Sequence, residues 1–159
     1  MRKKVRLREM LCDPRLLLAY GFGFGLAPKA PGTFGTLVGI PLVVLIMHLP
    51  SLWAVAILSL LFAVGVPICR RGSEHLETDD PGAVVWDEIV GYGVAVVAIP
   101  FSLWAMVIAF MLFRMFDILK PWPIKWADSK VHGGLGIMLD DLLAGLLALG
   151  ILHLIHLFL

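Results

Sequence analysis

Apolar residues run almost unbroken from 37 to 68, interrupted only at Leu49-Pro50-Ser51. The pattern predicts a helical hairpin, with helices over 34–49 and 51–69 around a tight turn. Residues 83–117 repeat the arrangement: Pro100 divides them into 83–99 and 101–117, a second hairpin. A last apolar run covers 137–159. Each run is near the roughly 20 residues that a helix needs to cross a hydrocarbon core of about 30 Å. Lipid offers no partners to backbone N–H and C=O groups, so such runs must be helices. Residues 14–27 are apolar but short and rich in glycine, which predicts an interfacial or re-entrant element. The expectation is one all-α domain over 1–159. It is an integral membrane bundle of about five transmembrane helices, preceded by a basic segment over 1–13.

Composition agrees. Hydrophobic residues make up 60% of the chain and charged residues 16%, with a mean hydropathy of +0.93. A soluble domain is nearer half apolar and a quarter charged. The net charge of +1 carries no information on partners, and no nucleic-acid partner is expected. Cys12 and Cys69 stand in no metal-binding spacing and read as ordinary thiols.

The placement of charge says more than its sum. Arg2, Lys3, Lys4, Arg6, Arg8, Arg15 and Lys29 precede the first run; Arg70 and Arg71 follow the second; Arg114, Lys120, Lys125 and Lys130 end or follow the fourth. All thirteen fall on one side of the predicted bundle, which the positive-inside rule makes cytoplasmic. The acids follow them, which that rule does not demand. In Val84-Val85-Trp86-Asp87-Glu88-Ile89-Val90-Gly91, two adjacent carboxylates enter an apolar run. Insertion scales charge such a residue about 2.5–3.5 kcal/mol at a helix centre. At 1.5 Å per residue, however, they lie only about 6–8 Å below the inner end of their helix.

Four stretches bring chemistry to that side. Residues 27–35 offer Lys29, Thr33 and glycine backbone at a helix start, where phosphate is favoured. Asp80 precedes Asp87 and Glu88. Arg114 and Asp117 are three apart and share a helix face, with Lys120 following. Asp140 and Asp141 open the last run. Clustered carboxylates stay ionised together only around a cation, and an all-oxygen set favours Mg²⁺ or Ca²⁺ over zinc. Each piece also has a structural reading: Arg114–Asp117 as an ion pair, Asp140–Asp141 as acids favoured near a helix start, and Gly21–Gly25 as a close-packing stretch. Asp128 falls among the inner polar residues and receives no role. Jointly the pieces fit metal-assisted phosphoryl chemistry at a bilayer surface. The rival is a cation channel or transporter with an acidic ion site, which would need polar groups across the whole membrane.

Four motifs in order carry a resemblance: Gly21 to Thr33 (Gly-Phe-Gly-Phe-Gly-Leu-Ala-Pro-Lys-Ala-Pro-Gly-Thr), Val85 to Glu88, Phe113 to Ile124, and His132 to Gly145. Together they are similar to phosphatidylglycerophosphatase A. The resemblance implies a Mg²⁺-dependent phosphatase of the bacterial inner membrane, with its N-terminus and site on the cytoplasmic side. Its partners would be the bilayer and its substrate, phosphatidylglycerophosphate, which it would convert to phosphatidylglycerol. It also implies a compact helical bundle with a central helix. Residues and resemblance agree on one expectation. Asp87, Glu88, Asp140 and Asp141 hold one or two Mg²⁺ ions, with Asp80 and Asp117 as further candidates. Asp87, Glu88 and Asp141 are the catalytic candidates; one carboxylate, with Glu88 a candidate among them, is the base for water attacking phosphorus in line. Lys29, Thr33, Arg114 and Lys120 take the phosphate.

Overall fold

The computed structural model describes residues 5–158; Arg2, Lys3, Lys4 and Leu159 lie outside them. The described residues are helical throughout, with turns and short connections and no strand. Two short helices, α1 (Leu7–Cys12) and α2 (Pro14–Ala19), lead into a 3₁₀ turn over Gly21–Leu26. The described part of the basic N-terminal segment thus holds a short helix, and the stretch over 14–27 is a short helix with a kinked turn. Phe22 and Gly23 take positive φ at the kink.

The first predicted hairpin is present. Its first arm is α3 (Pro31–Val38) running through Gly39 into α4 (Ile40–His48), and its second is α5 (Ser51–Leu76). Pro50, with its φ fixed, starts α5 at its N-cap. The second hairpin differs from its prediction. The helix expected over 83–99 is only α6 (Trp86–Ala95), while α7 (Leu103–Leu119) has the expected length but is shifted two residues toward the C-terminus from 101–117. At 1.5 Å per residue α6 rises about 15 Å, half a hydrocarbon core. Residues 96–99 continue as tight turns, with Ala98 at φ 60°. The chain closes with α8 (Ile124–Lys130) and α9 (Gly133–Phe158). Among the described residues three helical stretches are long and apolar enough to cross a membrane: Pro31–His48, Ser51–Leu76 and Gly133–Phe158.

The reason for the short α6 is its position. Its residues from Ile89 onward are buried on every side, beneath α9, α5, α3, α4 and α7. A helix apolar all round is a core helix when protein surrounds it, so α6 is the central helix. Its closest neighbour is α9: the backbone of Gly145 meets the carbonyl of Gly91, and a Cβ on Gly91 would lie 2.8 Å from the Asp141 carbonyl. Small residues let the two backbones touch, and this contact sets Asp87 beside Asp141. Tyr92 closes the other side of α6; its hydroxyl donates to the Met106 carbonyl at 2.9 Å.

At one end the charges gather. There Asp13 accepts from Arg71 at 2.9 Å, which holds its carboxyl below the usual carboxylate range. The Tyr20 hydroxyl, raised to about 12 by burial, donates to the Gly72 carbonyl. These bonds fasten the N-terminal helices to the end of α5. Exposed Trp53 and Trp104 mark the opposite end, and exposed Trp122 and Trp126 mark the charged one, as two interfacial belts would.

Candidate active site

The start of α6, the end of α7 and the first turns of α9 converge at the charged end, with α3 and α8 closing the flanks. Glu88 and Arg114 form the hinge of the arrangement. Nη1 of Arg114 donates to Oε1 of Glu88 at 2.8 Å and also to Oδ2 of Asp117, a turn along on α7. The three side chains are nearly enclosed, at 12–15% exposure. Helix α3 makes room for them: a Cβ on Gly35 would lie 2.8 Å from Oε2 of Glu88, and one on Gly32 would lie 2.7 Å from Nη2 of Arg114. Only glycine lets α3 cover this ion pair so closely.

Lys120 organises the second half. It ends α7 in a left-handed turn, φ 42°, while its N–H donates to the Phe116 carbonyl at 2.8 Å. Its ammonium donates to Asp128 Oδ1 at 2.6 Å and to Asp140 Oδ2 at 2.7 Å, and lies 3.8 Å from Asp80. Burial alone would lower its pKa, but the bonds to Asp128 and Asp140 outweigh this and raise it. Lys120 is thus a fixed cation among three carboxylates whose oxygens all lie within 4.8 Å of one another. A cavity of about 60 Å³ opens beside them, lined by Asp79, Asp80, Asp128, His132 and Asp140.

Deeper in, Asp87 and Asp141 lack such a partner. Asp87, Asp140 and Asp141 are exposed by only 7%, 6% and 2%. Asp87 and Asp141 lie within electrostatic reach of each other and of Glu88, Asp140 and Asp117. Oδ1 of Asp87, Oε2 of Glu88 and Oδ2 of Asp141 are buried without any hydrogen-bond partner. A buried ionised oxygen left unpaired costs several kcal/mol, so native structures pair it or place it on a metal. At this site the orphaned atoms are these three carboxylate oxygens, from α6 and α9, and Nε of Arg114 on α7. Carboxylate oxygens are the donors a hard divalent cation such as Mg²⁺ takes, and among the described residues Asp80, Asp128 and Asp140 are the acids whose oxygens converge closely enough to share one ion.

The expected residues are therefore largely assembled. Asp87, Glu88, Arg114, Asp117, Lys120, Asp140 and Asp141 meet, and Asp80 stands at the rim, 57% exposed on its side chain. Lys29 is exposed and makes no ion pair among the described residues, and Thr33 makes no side-chain hydrogen bond there. The buried hydroxyl of that helix is Thr36, which donates to the Gly32 carbonyl at 2.8 Å. Sequence reasoning missed Asp128 and His132. The signal for Asp128 is weak: eight residues past Lys120, beyond Pro121 and Pro123, which fold α8 back over the α7 terminus.

The family model of phosphatidylglycerophosphatase A matches residues 17–156. A phosphatidylglycerophosphatase A of Escherichia coli K12 is 42% identical over 149 residues, 93% of this chain and 87% of that protein. One from Haemophilus influenzae is 44% identical over 140 residues, 87% of this chain and 86% of that one. A Bacteroides thetaiotaomicron protein, provisionally named a phosphatidylinositol-3-phosphatase, is 38% identical over 137 residues, 82% of this chain and 86% of its own. No solved structure matches. The matched region contains every residue of the two charge clusters, and this chain belongs to the phosphatidylglycerophosphatase A family.

Proposed function

We propose that the protein hydrolyses the terminal phosphomonoester of phosphatidylglycerophosphate at the cytoplasmic face of the bacterial inner membrane, with Mg²⁺, giving phosphatidylglycerol and phosphate. The family supports the substrate. The orphaned oxygens of Asp87, Glu88 and Asp141 carry the metal reading. The count of groups supports it too: seven carboxyls, of Asp80, Asp87, Glu88, Asp117, Asp128, Asp140 and Asp141, share the site with Arg114 and Lys120, and they can all be ionised only with added cations. An anionic phosphate enters such a site only with added cations.

Asp87, Glu88, Asp140 and Asp141 would hold the metal, with Asp80 and Asp117 at its margin. Bound Mg²⁺ supplies Lewis acidity to the phosphoryl group and to water. Arg114 presents its guanidinium, and Lys120 its ammonium, to the phosphate oxygens, where negative charge is spread in the transition state. Water attacks phosphorus opposite the glycerol oxygen. Oε2 of Glu88 lacks a donor and takes the proton. The P–O bond to glycerol breaks, and the departing oxygen receives the proton that Glu88 took from water, which leaves phosphatidylglycerol and restores the carboxylate. Lys29, on the exposed approach to α3, draws the phosphate in, and Thr33 with the backbone N–H groups of α3 donates to it. A transport path lacks support: no Asp, Glu, Lys or Arg occurs in 40–69, 89–113 or 142–158.

The test is product identity. Purified protein in mixed micelles should convert phosphatidylglycerophosphate to phosphatidylglycerol and phosphate, read by mass spectrometry, with phosphatidic acid turned over far more slowly. Equal turnover of both would reduce the reading to a general lipid phosphomonoesterase.

A further inference from the structure

A groove of about 460 Å³ runs between α3/α4 and α7 over the floor of α6. Leu37 and Ile40 form one wall, Phe110, Val107 and Leu103 the other, and Tyr92 the floor. The Tyr92 hydroxyl is already bonded to the Met106 carbonyl, and its ring packs edge-on against Phe110 with centroids 5.8 Å apart. The groove therefore shows little but hydrocarbon. Its volume lies in the range of ligand sites rather than packing defects.

Its register with the charged end distinguishes it from ordinary lipid-facing surface. Residues four apart on a helix share a face, one turn or about 6 Å apart. Thr33 lies one turn before Leu37 on α3, Glu88 one turn before Tyr92 on α6, and Arg114 one turn after Phe110 on α7. So all three helices bring a candidate-site residue directly above the innermost residue of the groove. From there the groove descends along α7 through Val107 to Leu103, and along the first arm to Ile40.

We infer that this groove seats one fatty acyl chain of the lipid whose phosphate lies at Glu88 and Arg114. The occupant is set by that continuity: a ligand with its phosphate at this pair and a long apolar tail meets this apolar channel a turn below. The inference rests on the lipid phosphatase reading and adds a recognition site for the tail. Such a site orients the headgroup, because a tail held between α3/α4 and α7 fixes where its phosphate can reach.

The experiment compares dipalmitoyl phosphatidylglycerophosphate in mixed micelles with its deacylated, water-soluble counterpart. Leu37→Trp and Val107→Trp fill the groove from side chains that are 42% and 54% exposed, so each indole has space. Leu60→Trp, on an exposed part of α5 away from the groove, is the control. In each groove variant the ratio of kcat/KM for the diacyl over the deacylated substrate should fall about tenfold, the worth of roughly two methylenes leaving an apolar contact. The ratio should hold in Leu60→Trp. Turnover of the deacylated substrate reports folding. An unchanged ratio in both groove variants would assign the groove to bulk lipid and overturn the inference. Absence of phosphate release from either substrate by the native protein would instead overturn the phosphatase reading, and the groove assignment with it.

Discussion

Two groups of carboxylates sit within one site, and a single residue tells them apart. Lys120 bonds Asp128 and Asp140 and lies 3.8 Å from Asp80, while Asp87, Glu88 and Asp141 keep buried oxygens with no donor. The first group shares one ammonium among three carboxylates; the second is where the proposed cation would bind, with Asp140 between the two. Asp128 has no part in the proposed metal set, so Asp128→Asn should act through Lys120. Losing one half-exposed charge-assisted bond costs about 1 kcal/mol, so KM for the lipid should rise about fivefold with kcat little changed. Arg114→Lys should be more severe, near 10²-fold in kcat/KM, because one ammonium cannot serve Glu88, Asp117 and a phosphate as a planar fork does. Because the bonds it donates to Asp128 and Asp140 outweigh burial and raise its pKa, Lys120 stays protonated from about pH 5 to pH 9. Lys120→Arg should accordingly lower the pH–rate profile without changing its shape there. Asp87, Glu88, Asp140 and Asp141 were legible in the sequence because a charge inside an apolar run is expensive and stands out. Asp128 was not legible, because a carboxylate in a polar segment costs nothing and so gives no signal.

At the scale of elements, the site depends on helices that approach closer than side chains usually allow. Helix α3 covers the Glu88–Arg114 pair only because Gly32 and Gly35 lack Cβ atoms. Gly35→Ala would bring a methyl within 2.7 Å of Val85 Cγ1 and force α3 off α6. That strain should cost about 1–3 kcal/mol, seen as a lower thermal midpoint in detergent together with reduced turnover. Gly150→Ala is the contrast: nothing lies within 4 Å of its added methyl. Gly150→Ala should therefore leave turnover intact and raise the midpoint slightly, as alanine favours helix over glycine. The prolines at 50 and 100 made both hairpins readable. The early end of α6 was not readable, because Val96, Val97 and Ile99 are as apolar as a membrane span. Hydropathy measures transfer from water and does not separate a helix packed in protein from one packed in lipid.

For the whole molecule, the question is which way it faces. Formal charges gather at one end, Trp122 and Trp126 ring that end, and Trp53 and Trp104 ring the other. With Cys12 replaced by serine and Cys69 buried, Ser51→Cys should react with a membrane-impermeant thiol reagent in intact spheroplasts. Lys125→Cys, on exposed α8, should react only after permeabilisation. The reverse pattern would turn the active site outward. The most direct test of the account is phosphate release from phosphatidylglycerophosphate by the purified protein, in Mg²⁺, then in excess EDTA, then with Mg²⁺ restored, beside Asp87→Asn. The account predicts release that stops in EDTA, returns with Mg²⁺, and falls about 10²-fold or more in the variant. Full release in EDTA, or an undiminished rate in Asp87→Asn, would contradict it.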